Sequence, residues 1–286
     1  VTSATSSATI VELPSIAILG AGSMGRAILG GLLAPHVHVS GGVRVTNRGA
    51  DRAAEFDGVA GVTASSTEDD PDANRRAVKG AAVVLVAVKP AMVPDLLREI
   101  ADDLEPNAIV VSVAAGVTIA TFESSLPNTV SVLRSMPNTP ALVARAVTGL
   151  SVGTRTSDAD TATIRSLFET VGAVLEVPES QLDALSTISG SGPAYVFYLI
   201  EEFTRTAIDK GFTAEQAALL VNQTFLGSVE LLAASAKTPE QLRIQVTSPN
   251  GTTERAIAAL EGADLKGIFD RATDAALARA KELAAG

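Results

Sequence analysis

Apolar positions along this chain follow two rhythms, one for each part of its length. From Ser15 to about Val177, short β-branched runs alternate with stretches of helical spacing. The runs predict strands at Ile16–Leu19, Val43–Thr46, Val83–Val88, Ile109–Val113, Val130–Leu133 and Val147–Val152. The third and fourth are almost continuously apolar, the pattern of parallel strands buried on both faces. Helices are predicted between strands at Met24–Leu33, Pro94–Asp103 and Ile119–Ser125. A further helix at Asp158–Val171, stopped by Gly172, leads to a short strand at Ala173–Val177. Such alternation defines an α/β, doubly wound parallel sheet.

Beyond Pro178 the strand rhythm stops. Pro193–Lys210, Ala214–Ala236, Pro239–Val246, Glu254–Glu261 and Leu265–Ala285 all carry helical spacing. The segment Leu219–Leu232 is apolar around most of its circumference. Either a subunit interface or the centre of a monomeric bundle would cover such a helix.

Gly20-Ala21-Gly22-Ser23-Met24-Gly25 follows the first predicted strand and opens the first helix. In that setting GxGxxG predicts a dinucleotide loop. Gly20 makes the turn, Gly22 lets backbone approach a pyrophosphate, and Gly25 lets the helix pack closely on the sheet. The helix N-terminus then faces the phosphates. The second strand ends in Thr46-Asn47-Arg48, with Arg52 a turn later, where an NAD enzyme would place a carboxylate for the ribose. Guanidinium groups there suit a 2′-phosphate, so NADP(H) is preferred and NAD(H) is possible. Val88-Lys89-Pro90 and Ala114-Ala115-Gly116, at two later strand ends, could line the same crevice. Lys89 is a catalytic ammonium, a cofactor contact or a plain loop residue; its position does not choose.

Composition narrows the chemistry. The 286 residues carry a formal charge of −10, which argues against nucleic acid or an anionic membrane as partner. There are no cysteines, hence no thiol catalysis or thiolate metal site. His36 and His38, flanked by Pro and Gly, read as loop residues, and no metal site is expected. No uninterrupted apolar run approaches the roughly 20 residues that span a bilayer. Val1–Thr9 is rich in Ser, Thr and Ala without a basic start, unlike a secretory signal. A cytoplasmic protein is expected, with residues 1–14 a disordered leader, 15–177 a dinucleotide-binding domain and 178–286 a helical domain.

Near the C-terminus, Ser248-Pro249-Asn250-Gly251-Thr252-Thr253 is a Pro/Gly turn opening into a helix, with Ser or Thr expected to cap it. Free N–H groups at such a helix start suit a small carboxylate; an ordinary cap is the plainer alternative.

Taken in order, GAGSMG (20–25), AVKP (87–90), AAGVT (114–118), RSMPNTP (134–140), ALSTISGSGPAY (184–195) and SPNGTT (248–253) resemble the pyrroline-5-carboxylate reductase family. The likeness runs from Ser15 into the C-terminal helices, and the last two motifs are the specific ones. It implies a Rossmann domain followed by an all-α dimerisation domain interlocked with a partner's, giving a homodimer and a higher homo-oligomer. It implies pyridine-nucleotide contacts at Leu19, Gly20, Ala21, Gly22, Ser23, Met24, Gly25, Asn47, Arg48, Asn74, Val88, Lys89, Pro90 and Ala115. The imino-acid carboxylate would lie on Ser248, Asn250, Gly251, Thr252 and Thr253. Thr253 would hydrogen-bond the ring nitrogen, and Glu179 would approach that nitrogen. The implied reaction is NADPH-dependent reduction of 1-pyrroline-5-carboxylate to L-proline, by hydride transfer to the cyclic imine. Asn250 departs from the family's usual Gly; Asn tolerates positive φ better than other side chains, so the turn should survive.

Two other readings compete. A β-hydroxyacid dehydrogenase also joins GxGxxG to helices but needs a lysine along the interdomain helix, and Lys210 lies only at that helix's far end. A nucleotide-binding sensor would have no need of the Ser248–Thr253 turn.

Overall fold

The computed structural model describes residues 10–285. Val1–Thr9, most of the expected leader, lies outside them. The rest of that leader is ordered: β1 (Val11–Leu13) pairs in parallel with a later strand. Leu13 is 2% exposed, and its burial is the reason the ordered chain begins before Ser15.

After β1 come β2 (Ile16–Leu19), α1 (Ser23–Leu32), β3 (Val37–Val39), β4 (Val43–Asn47), α2 (Ala50–Ala54), β5 (Val62–Ser66), α3 (Ala73–Val78) and β6 (Val83–Val86). Then follow α4 (Val93–Ile100), β7 (Ile109–Ser112), α5 (Ile119–Ser125), β8 (Ser131–Met136), β9 (Ala146–Val152), α6 (Asp158–Glu169), β10 (Gly172–Glu176) and α7 (Glu179–Leu185). Eight strands form the main sheet in the order β10-β9-β8-β7-β6-β2-β4-β5. The run β5-β4-β2-β6-β7-β8 is the doubly wound order, reversing direction between β2 and β6. The sheet departs from the all-parallel expectation at one joint, where β9 runs antiparallel to β8. The short link Pro137–Arg145 cannot carry the crossover that a parallel return needs.

β2, β6 and β7 are buried along their whole length. One apolar layer gathers Ile18, Ile28, Leu85 and Phe168; the opposite layer gathers Leu19, Leu97, Phe122 and Val132. Helices on both faces therefore explain the continuous apolar runs.

His38 is a correction. It lies in β3 rather than a loop, with Nδ1 2.6 Å from Glu12 Oε2 on β1. Among the described residues no group of His, Asp and Glu is arranged to hold a metal ion.

The chain divides into two compact units, one of the chain up to Gly190 together with the segment from Leu277 onward, and a second spanning Ser191–Ala276. The boundary falls later than the expected Val177 because α7 belongs to the first unit. A Cβ on Gly149 of β9 would stand 2.7 Å from Leu185 and 2.9 Å from Leu182. The second unit begins with α8 (Gly192–Asp209) and α9 (Ala214–Ala234) and continues through α10 (Pro239–Gln245), α11 (Thr252–Gly262) and the part of α12 (Leu265–Ala285) up to Ala276. A capping box of Thr213 and Gln216 starts α9. No residue of α8 is buried, and α9 buries only Ala217 and Val221. By length and composition α9 could cross a membrane, with mean hydropathy 1.4 over 18 residues and 11% of them buried. It is not the uninterrupted apolar run whose absence was expected, since Asn222, Gln223 and Glu230 break it.

Candidate active site

Every residue expected to touch a pyridine nucleotide lies at or beside the carboxyl edge of β2, β4, β6 or β7. Backbone bonds stitch these ends together. Gly20 and Ala21 N–H donate to Thr46 O at 3.0 and 3.2 Å, Ala87 N–H to Leu19 O at 2.8 Å, and Val113 N–H to Val86 O at 3.0 Å. β6 stops at Val86, so Val88 and Lys89 lie in a loop and Pro90 opens a short 3-10 turn, Pro90–Met92.

At Gly20 and Gly25 the backbone leaves little room for a side chain, as their expected roles require. Gly20 has φ +92, and a Cβ there would lie 2.9 Å from Val88 and 3.0 Å from Ala87. On Gly25 it would lie 2.8 Å from Gly20 O and 3.4 Å from Ile18. On Gly22 it would meet nothing within 4 Å, leaving open space where a pyrophosphate could approach. Gly22 caps α1 without any side-chain acceptor, and the N–H groups of Ser23, Met24 and Gly25 find no acceptor among the described residues. The donors a phosphate needs are thus present and uncommitted. Arg26 braces the loop: its Nε donates to Ala21 O at 3.1 Å, it pairs with Glu55, and its guanidinium sits 5.3 Å from the Phe56 ring. The pair holds the Glu55 carboxyl below its usual range, chiefly through the Arg26 hydrogen bond.

At the end of β4, Asn47 is buried and its amide donates to Arg52 O at 3.4 Å. Arg48 is exposed, but its carbonyl accepts from Ser66 Oγ at 3.0 Å and Glu68 N–H at 3.0 Å, so the backbone beneath it is fixed. Arg48 and Arg52 form no ion pair among the described residues. Asn74 is oriented on both sides: Thr46 Oγ1 donates to its Oδ1 at 2.7 Å, and its Nδ2 donates to Glu99 at 3.3 Å. Lys89 is exposed and unpaired among the described residues, as Ala115 is exposed on the loop after β7.

The turn expected to hold a carboxylate belongs to the second unit. Asn250 takes φ +59, the left-handed conformation a family glycine would adopt freely, so the turn does survive the substitution. The cap differs from expectation. Gly251, not a Ser or Thr, is the N-cap of α11, and no side chain caps forward. A Cβ on Gly251 would stand 2.9 Å from Ser248 O, which excludes the hydroxyl residues from that position. Glu254 reaches back instead, its Oε2 accepting from Asn250 N–H at 2.9 Å. The hydroxyls of Ser248, Thr252 and Thr253 make no hydrogen bond among the described residues, and neither do the N–H groups of Thr252 and Thr253.

Glu179 is more engaged than expected. It sits at the start of α7, and its Oε1 accepts from Ile119 N–H at 2.8 Å and from Arg134 at 3.2 Å. It also borders a cavity of about 320 Å3 lined by Leu150, Val152 and Glu176–Pro178. Two structurally important residues of RSMPNTP had no assigned role from sequence. Arg134 is 6% exposed and pairs with Glu179 and Asp183; Asn138 donates to Ser189 O at 2.9 Å and accepts from Val147 N–H at 2.9 Å. An arginine inside a strand flanked by Val132 and Leu133 was the available signal, since buried charges require partners.

A Rossmann sheet with an open glycine loop, joined to helices that bury little of their own apolar surface, defines a dinucleotide-dependent oxidoreductase with a helical association domain. Comparison with known proteins makes the class specific. A family model for pyrroline-5-carboxylate reductase dimerisation matches residues 179–283, and one for NADP oxidoreductase, coenzyme F420-dependent, matches residues 15–116. The pyrroline-5-carboxylate reductase of Pseudomonas aeruginosa is 36% identical over 275 residues, covering 96% of this chain and 98% of the relative. The structure of a pyrroline-5-carboxylate reductase from Coxiella burnetii matches with TM-score 0.86 and 37% identity over 94% of this chain and 97% of that one. The fold is shared with a Plasmodium falciparum pyrroline carboxylate reductase solved with NADP bound, at TM-score 0.79 and 24% identity over 94% and 98% of the two chains. The chain belongs to the pyrroline-5-carboxylate reductase family.

Proposed function

We propose that this chain reduces 1-pyrroline-5-carboxylate to L-proline with NADPH, as a cytoplasmic homodimer or larger homo-oligomer. The observation that carries the reading is the coexistence of two uncommitted donor sets. One is the open Gly22 with the α1 N–H groups; the other is the free hydroxyls and N–H groups of Ser248–Thr253 beyond a left-handed Asn250.

A bound reduced pyridine nucleotide supplies the hydride. Gly22 and the amides of Ser23–Gly25 hold its pyrophosphate, while Arg48 and Arg52 provide cationic partners for a 2′-phosphate. Asn74, fixed by Thr46 and Glu99, presents its remaining amide hydrogen, and Val88, Lys89 and Ala115 border the bound nucleotide. Ser248, Thr252 and the backbone of Asn250 and Gly251 hold the substrate carboxylate.

The new C–H bond forms at the imine carbon, which becomes C5 of the product proline, as the C=N π pair moves to nitrogen. A protonated C=N is electrophilic without further activation, so the chain needs to favour the iminium and orient it. Thr253 hydrogen-bonds the ring nitrogen. Glu179 keeps one oxygen, Oε2, without a hydrogen bond among the described residues, and this oxygen is available to a cation.

The direct test is NADPH oxidation on adding the imine, comparing the wild type with Thr253→Ala. The variant should lose roughly 10²–10⁴-fold in turnover. Unaltered turnover would remove Thr253 from the mechanism, and cofactor binding without any turnover in the wild type would favour a nucleotide sensor. The hydroxyacid dehydrogenase alternative gains nothing from the fold: Lys210 is the C-cap residue of α8.

A further inference from the structure

Loop Val113–Thr118 leads from β7 to α5 and carries Ala115. Gly116 in its middle has φ +76, so the loop turns sharply and its two ends must be held for Ala115 to keep one position. The near end is fixed locally: Ala114 N–H donates to Ser112 Oγ at 3.1 Å, and Ser135 Oγ donates to Ser112 O at 2.8 Å. The far end has a distant anchor. Ile119 N–H donates to Glu179 Oε1 at 2.8 Å, across 60 residues of sequence.

That oxygen is itself placed by a buried cation. Arg134 on β8 stands in register with Ser112, the last residue of β7. Its guanidinium lies 3.2 Å from Glu179 Oε1 and 2.9 Å from Asp183 Oδ1. With the Arg134 side chain 8% exposed, few alternative partners are within reach, and its two carboxylates lie one turn apart on α7. Leu182, between them in sequence, is fully buried and keeps α7 from sliding. The whole assembly lies within the first unit.

We propose that Arg134 and Glu179 act as a clamp that positions the loop carrying Ala115 for the pyridine nucleotide, so that Glu179 is a positioning residue through Oε1. This rests on the reading that Ala115 borders the cofactor. The clamp requires a hydrogen-bond acceptor at Glu179 Oε1 rather than a negative charge, and that requirement separates it from any role facing the substrate cation.

The experiment is NADPH binding by calorimetry without imine, followed by steady-state kinetics, on wild type, Glu179→Ala, Glu179→Gln and the double variant Arg134→Met/Glu179→Ala. Glu179→Ala should weaken NADPH binding about tenfold, the effect of losing a hydrogen bond to a charged acceptor. The KM for NADPH should rise in step in Glu179→Ala and stay near the wild-type value in Glu179→Gln, whatever loss of the Oε2 carboxylate does to the imine. Glu179→Gln, whose amide oxygen still accepts from Ile119 N–H, should return binding to within about threefold of wild type. The double variant also removes the guanidinium that has lost one of its two carboxylates; it should fold and still bind NADPH weakly. Wild-type affinity in both Glu179→Ala and the double variant would overturn the clamp, as would Glu179→Gln matching Glu179→Ala. A wild type that binds no NADPH would overturn the cofactor reading, and the clamp with it.

Discussion

In the unit ending at Gly190, the large apolar side chains Phe122, Phe168, Ile18 and Leu133 have at most 1% of their surface exposed. In Ser191–Ala276, Phe197, Leu219 and Val229 are each more than 60% exposed. The residue types are alike, and the difference is geometric. A sheet with helices on both faces closes two apolar layers within one chain, while α8 and α9 pack as a hairpin that covers only one stripe of each helix. The first unit can therefore be stable alone, and the second has a surface suited to a second copy. The dimerisation match over residues 179–283 falls on that surface.

Predictions follow from breaking each side of this contrast. Phe168→Ala should cost about 3–5 kcal/mol by emptying a fully buried site, and the loss of Tm should not depend on protein concentration. Leu226→Asp with Val229→Asp should instead weaken self-association by roughly 2–3 kcal/mol. Its signature is a shift to smaller species in sedimentation as the protein is diluted; wild-type sedimentation would show that this face is not the interface.

On the proposed reading, cofactor choice resides in the first unit. Arg48→Ala with Arg52→Ala should raise the KM for NADPH about tenfold, or 1.4 kcal/mol, and leave the KM for NADH unchanged. Equal loss with both cofactors would sink the 2′-phosphate assignment.

The smallest effect concerns Asp160. Burial pushes its carboxyl up, but hydrogen bonds from Ser131 and Ser157 outweigh that and hold it below the ordinary carboxylate range. A group whose folded value is depressed stabilises the fold above its unfolded pKa of about 4 and loses that contribution as pH falls through the folded value. Asp160→Asn should cost about 1 kcal/mol near neutral pH, because an amide oxygen accepts more weakly than the carboxylate from Ser157 N–H and Ser131 Oγ. Its stability should also fall less steeply on acidification, as read from urea melts across that range.

Much of this was legible in the residues. β2, α5 and α12 fall where the pattern predicts, and Gly20 and Gly25 sit where a side chain would not fit. Short amphipathic pieces were not legible. Val11–Leu13 and Val37–Val39 are too brief to show alternation, and Val62–Ser66 is mostly polar for a strand. α7 was hidden because its identity rests on Leu182 and on Arg134, a partner far away in sequence.

By itself, then, the sequence determined the alternating sheet, the phosphate loop, the turn at Ser248–Thr253 and the family. All depend on local spacing or backbone freedom, which a linear string records directly. Tertiary structure alone decided that β9 reverses direction, that Glu254 rather than a hydroxyl satisfies the Asn250 amide, and that Glu179 is tied to Arg134 and Ile119. The two side-chain contacts turn on which polar groups come within hydrogen-bonding distance after folding, and the reversal of β9 on how the short link Pro137–Arg145 lets two strands pair; local apolar spacing records neither.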